Sequence, residues 1–200
     1  YDALIDGLAR NVEVVLIGAD ENGIEKISNT LDGRQDISAI HIISHGSEGK
    51  ISLGNTELTA DNLAESKTEL EGWKSAFTES ADILIYGCNV GQDTSFVDAI
   101  AEITGADVAA SDDLTGAEVL GGDWELERKS GVIEAAGVNV EAYQGVLDVE
   151  SPSITASDIT LNEGGTFVFA DSNQITLTGT FTANVKVILS VQNGVLSITS

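Results

Sequence analysis

Four short aliphatic runs, at residues 12–17, 39–44, 81–86 and 107–110, are separated by segments with the apolar spacing of helices at 23–31, 61–77 and 95–104. Strands that alternate with helices in this way pair in parallel, because each helix carries the chain back across the sheet. The run Ile83-Leu84-Ile85-Tyr86 shows no polar alternation, as expected of a strand covered on both faces. The expected class is therefore α/β, a mostly parallel sheet with helices on both faces. Leu63, Leu70, Trp73 and Phe77 fall near one face of the 61–77 helix. Segments 121–127 and 131–135 are expected to form a terminal hairpin, and residues 1–11 a helix that follows a truncated first strand. Asp20 is expected to cap the helix that follows it, with Asn22 and Gly23 in the turn.

The pattern changes at Leu147. Before it lie 28 acidic and 8 basic side chains, a net of −20 out of the chain's −24. After it comes Asp148-Val149-Glu150-Ser151-Pro152, with the only proline, and then a stretch rich in Ser, Thr, Val and Ile. We expect an α/β domain over 1–147, a linker over 148–152, and the start of a β-sandwich repeat over 153–200. Its strands are expected at 153–160, 165–170, 174–180, 185–191 and 195–199, with Asn193-Gly194 as a hairpin signal. So acidic a chain repels phosphate backbones and anionic membrane surfaces, which argues against nucleic-acid binding. No apolar run approaches the roughly 20 residues that a membrane helix needs, so no membrane insertion is expected. Cys88 is alone and forms no internal disulfide. The chain lacks Met and reads as an excerpt of a longer protein, of a composition that suits a secreted or bacterial cell-surface location.

In an open parallel sheet, sites form beyond the carboxyl ends of the strands. Two strand ends carry reactive groups, Ser44-His45-Gly46-Ser47 and Gly87-Cys88-Asn89. If the strands are adjacent, His45 and Cys88 emerge on one rim, where an imidazole can activate a thiol. The flanking glycines let a carbonyl approach, and the amides of Gly46 and Cys88 could bind an oxyanion. The competing reading makes Cys88 a packing residue and His45 a cap of backbone groups. His41, deeper on the same strand face, is read as structural. No metal site is expected in the α/β part. Aligning Gly23 with position six of a calcium loop puts Gly18 and Asn29 at ligand positions that need carboxylates, and one Cys with two close His residues makes no zinc pattern. Asp158, Glu163 and Asp171 could contribute to calcium binding in the C-terminal repeat region. No dinucleotide fingerprint or P-loop is present.

The blocks at 39–47 and 81–90, each a hydrophobic run ending in His-Gly or in small residue-Cys, resemble the caspase, gingipain and legumain superfamily of cysteine peptidases. More closely, AIHIISHGSEGKISLGNTEL, ADILIYGCNVG, TGADVAASDDLTG and GGDWELE resemble an uncharacterised domain (domain of unknown function 4347) found near the start of very large bacterial adhesins. In such proteins cadherin-like repeats usually follow, and residues 153–200 look like the opening of one. The resemblance implies a three-layer caspase-like fold, with Cys88 as nucleophile, His45 as the group that protonates the leaving amine, and the Gly46 and Cys88 amides as oxyanion donors. It also places Ser111, Asp112 and Asp113 beside the pocket for the residue before the scissile bond, where carboxylates would favour Arg or Lys. The plainer reading is an ordinary acidic loop. Partners follow the two readings: a peptide segment of self or of a neighbouring protein for a peptidase, or a host or cell-surface ligand for an inactive adhesion module.

Overall fold

The computed structural model describes residues 14–138 and 145–148, together with the backbone of four further strands between 165 and 199. The elements in chain order are β1 (Val14–Gly18), α1 (Gly23–Leu31), β2 (Ile37–Ser44), β3 (Gly46–Ser47), β4 (Lys50–Leu53), β5 (Thr56–Thr59), α2 (Lys67–Trp73), β6 (Phe77–Tyr86), α3 (Thr94–Thr104), β7 (Asp107–Ala110) and β8 (Arg128–Ser130). The later strands are β9 (Gly165–Ala170), β10 (Gln174–Thr178), β11 (Val185–Val191) and β12 (Val195–Thr199). The fold is mixed α/β. Its main sheet has seven strands in the order β1-β11-β9-β2-β6-β7-β8. All pair in parallel except β8, which runs antiparallel to β7. β10 and β12 pair in parallel in a sheet of their own. The expected strand at 153–160 and the turn at Asn193-Gly194 lie outside the described residues, as does the helix expected at 1–11.

Alternation within the central strands divides them between two faces. Ile40 and Ile42 of β2, Ile83 and Ile85 of β6, and Val108 and Ala110 of β7 point one way, into a core with Ile24, Ile27 and Leu31 of α1, Leu70 and Trp73 of α2, and Phe96, Val97 and Ile100 of α3. The Trp73 indole N–H donates to Ser28 Oγ at 2.8 Å, tying α2 to α1. Helices were expected on both faces, yet all three described helices share this one. The opposite face carries His41, Leu84 and Tyr86, and the segment after residue 123 covers it: Trp124 lies 6.0 Å from Tyr86 between ring centroids, and the Val138 amide donates to the Tyr86 hydroxyl at 2.8 Å. A cavity of about 520 Å³ remains there, lined by Leu84, Ala109, Trp124, Ile133 and Val138.

Three local expectations need correction. The 61–77 helix is only Lys67–Trp73. Ahead of it, Asn62 and Thr59 bond reciprocally, Thr59 N to Asn62 Oδ1 at 2.8 Å and Asn62 N to Thr59 Oγ1 at 3.2 Å, which holds the backbone in a turn rather than a helix. Phe77 opens β6 instead of closing the helix. Asn22, not Asp20, caps α1: its side chain accepts from Glu25 N at 3.1 Å, the three-residue reach that a cap requires. The terminal hairpin does not form. Only Arg128–Ser130 is a strand, and its partner is β7, because an antiparallel edge there completes the sheet while Asp82 Oδ2 accepts from the amides of Glu134 and Ala135 at 3.0 and 2.7 Å.

Candidate functional site

Parallel pairing of β2 with β6 puts Ile43 opposite Tyr86, so the two strands end side by side, with His45 two residues beyond Ile43 and Cys88 two residues beyond Tyr86. The two strand ends then pack closely enough that only glycine fits between them. A Cβ on Gly87 would stand 3.0 Å from Ser44 O and 3.4 Å from Gly46 Cα, while one on Gly46 would collide with Val90 Cγ2 and lie 3.3 Å from Cys88 O. His45 is fixed through its backbone, its carbonyl accepting from Ser52 N at 3.1 Å across the meander of β3, β4 and β5. The chain turns sharply after Cys88: Asn89, with φ 62°, is the one non-glycine residue of positive φ among the described residues. Asn tolerates this conformation better than most residues, and its amide is held by Asp113 O at 2.7 Å.

The amides of Gly46 and Cys88 converge on a single acceptor. The carbonyl oxygen of Leu147 lies 3.1 Å from Gly46 N and 3.4 Å from Cys88 N. The segment that brings it there, residues 145–148, is extended against an edge at 115–117. Leu147 N donates to Thr115 O at 2.9 Å, Ala117 N donates to Gly145 O at 2.8 Å, and Gly116 and Val146 form an antiparallel bridge. On the other side Asp148 bridges Gly46 in parallel. Leu147 is wholly buried. The thiol of Cys88 reaches the Thr115 carbonyl at 3.7 Å, so Sγ and the Leu147 amide share one oxygen.

Burial sets the electrostatics. Cys88 has no exposed surface and His45 almost none. Desolvation pushes the Cys88 thiol up to about 11; hydrogen bonding with the backbone of Thr115 and Leu147 opposes this, and the negative charges of Asp148 and Asp113 add to it. The thiol is therefore protonated at neutral pH. His41 is pushed down to about 3 by burial, which keeps it neutral. It stacks on Tyr86 with centroids 5.9 Å apart and its Nδ1 3.3 Å from the hydroxyl, consistent with a structural residue. Burial raises the Tyr86 hydroxyl despite the hydrogen bond from Val138.

Of the other residues read from the sequence, Ser111 is buried and its carbonyl accepts from Gly91 N at 2.7 Å. Asp112 and Asp113 are exposed. Their carbonyls anchor the loop after Cys88, Asp113 O to the Asn89 amide and Asp112 O to Gln92 Nε2 at 2.8 Å. Asp113 also belongs to an exposed acidic trio with Asp123 and Glu127, and its carboxyl is raised by desolvation and by the charges of those two and Asp112. A second trio, Asp82, Asp107 and Glu134, is occupied by backbone amides: Asp82 accepts from Glu134 and Ala135, and Asp107 Oδ2 from Val132 N at 3.0 Å. The expected calcium candidates Asp158, Glu163 and Asp171 lie outside the described residues. Sequence reasoning missed Leu147 and the 115–117 edge, since pairing by isolated bridges leaves no periodic signal.

The family model described as Domain of unknown function (DUF4347) matches residues 1–147. No curated protein matches the chain, and no solved structure does.

Proposed function

The chain belongs to the DUF4347 family of domains of unknown function, and from the geometry of the rim we propose that it is a cysteine-peptidase module that processes its own or a neighbouring chain. One observation carries this reading: two backbone amides, one of them that of the candidate nucleophile, meet on a peptide carbonyl. That is the arrangement by which acyl-transfer sites stabilise a tetrahedral oxyanion. Cys88 would attack, His45 would carry its proton to the leaving amine, and Gly46 and Cys88 would hold the oxyanion. In the parent protein the module would be the N-terminal part of a large exported adhesin, with a caspase-like layered sheet and a cadherin-like sandwich beginning near residue 153. Calcium would be held in that later region. The four C-terminal strands support only the β character of the segment, since β9 and β11 pair in the main sheet with β1 and β2.

A second reading, an inactive structural or adhesion module in which Cys88 is packing, draws on the complete burial of Cys88 and its protonated thiol. The alkylation rate of Cys88 against pH, in wild type and His45→Ala, separates the two. A coupled pair loses reactivity with the imidazole, whereas equal rates in both proteins at every pH refute the peptidase reading.

A further inference from the structure

We propose that the bond this site cuts is Leu147–Asp148 of its own chain. The assignment rests on the peptidase reading and supplies its substrate. Three independent features of residues 145–148 mark them as a seated substrate rather than as a connection passing by. The carbonyl of Leu147, and no other described carbonyl, accepts from both oxyanion donors, Gly46 N and Cys88 N. The residues before it are extended and antiparallel to 115–117, the mode in which an edge captures a peptide through its main chain. The chain continues beyond the carbonyl to Asp148, which bridges Gly46, so backbone is held on both sides of the bond.

The side chain defines a specificity. Leu147 is wholly buried at the position before the bond, so the pocket selects an apolar residue. Arg or Lys, which the acidic pair Asp112 and Asp113 suggested, would have to bury its charge there. The position also fits the organisation of the chain. Residue 147 ends the span of the family match and is the point where the composition shifts; cutting after it breaks the covalent link to β9 and β11, which stay paired with β1 and β2 in the main sheet.

The chemistry balances with water as the one co-reactant. The Cys88 proton passes to His45 as Sγ bonds to the Leu147 carbonyl carbon, and the oxyanion forms against the two amides. Its collapse breaks the C–N bond, and the new amine of Asp148 takes the proton from His45. Water then hydrolyses the Leu147 thioester, which frees the thiol and leaves a Leu147 carboxylate. Because nucleophile and bond share one chain, the reaction is first order and independent of protein concentration.

The test is incubation of the 200-residue chain at about pH 9, where more of the thiol is ionised, followed by intact mass and N-terminal sequencing. The expected result is two fragments, the second beginning Asp148-Val149-Glu150-Ser151, at a rate unchanged by tenfold dilution. Cys88→Ala and His45→Ala should stay whole. Leu147→Met should be cut and Leu147→Lys should not, with thermal unfolding reporting whether each variant is folded. An intact Leu147–Asp148 bond in the wild type after about a day overturns the assignment, as does Cys88-dependent cutting at another bond or only of added peptides. The peptidase reading stands or falls separately. Cutting elsewhere that needs Cys88 preserves it, and alkylation rates that ignore His45, with no bond cut at all, remove it together with the assignment.

Discussion

Replacing Leu147 by alanine, in a His45→Ala background so that no bond is cut, asks whether residues 145–148 are what shields Cys88. Cys88 has no exposed surface, so a reagent reaches it only when something moves aside. If that is the 145–148 segment, the alkylation rate is the intrinsic rate of the thiol multiplied by the fraction of time the segment is undocked. Leu147 contributes the one fully buried aliphatic side chain of the segment. Truncating a buried leucine costs about 2–5 kcal/mol. Near the lower end of that range, about 2–3 kcal/mol, the open fraction rises about 30- to 150-fold at 1.36 kcal/mol per decade. The assay is iodoacetamide labelling of Cys88 followed by mass spectrometry, at several urea concentrations below the unfolding transition. Local undocking predicts a faster rate nearly independent of urea, because little surface is exposed. A rate within about threefold of the parent refutes the gating argument, and so does one that rises steeply with urea and therefore reports global unfolding.

Four further outcomes follow from the same geometry. Asp82 is raised to about 6, chiefly by desolvation, with the Glu134 and Ala135 amides opposing. A raised carboxyl stabilises the fold below its unfolded pKa and withdraws that stability as pH climbs through about 6. Asp82→Asn, which can still accept from both amides, should flatten the loss in urea midpoint between pH 4 and 7, worth about 1–2 kcal/mol after allowance for solvent screening. Gly46→Ala puts a methyl into Val90 Cγ2 and close to Cys88 O, so it should destabilise by about 1–3 kcal/mol in chemical denaturation and abolish Cys88-dependent processing. At Asn89, φ 62° predicts that Asn89→Ala lowers stability by about 1 kcal/mol, whereas Asn89→Gly loses only the Gln92 contact; the pair of melting curves decides it. Asp148→Asn removes one of the charges that raise Cys88, so the pH profile of thiol reactivity should move to lower pH, and an unchanged profile would show that the carboxylate does not act on the sulfur.

How much of the fold is legible in the sequence depends on how local each cause is. α1, β7, β9, β11 and β12 occur at the residues their apolar spacing indicated, because hydrophobic period and the residues that end an element are carried by neighbours in sequence. The 61–77 helix was overextended because Thr59 and Asn62 bond to each other's backbone, a competition that hydrophobic spacing does not register. The meander of β3, β4 and β5 went unread, its strands being too short to show a period.

The same division runs through the site. The sequence alone determined its parts: His45 and Cys88 each follow an aliphatic run and adjoin a glycine, and the composition breaks at Leu147. These are properties of the chain taken a few residues at a time. Only the tertiary structure decided what they form together. The register of β2 against β6 brings the two strand ends level, Gly46 and Gly87 let their turns touch, and the 115–117 edge draws the Leu147 carbonyl onto the amides of Gly46 and Cys88. Each of those contacts joins residues from about 30 to 100 positions apart, whose closure is rewarded only when the whole sheet has assembled. The residue the sequence offered as a boundary is thus the one the fold places against the thiol.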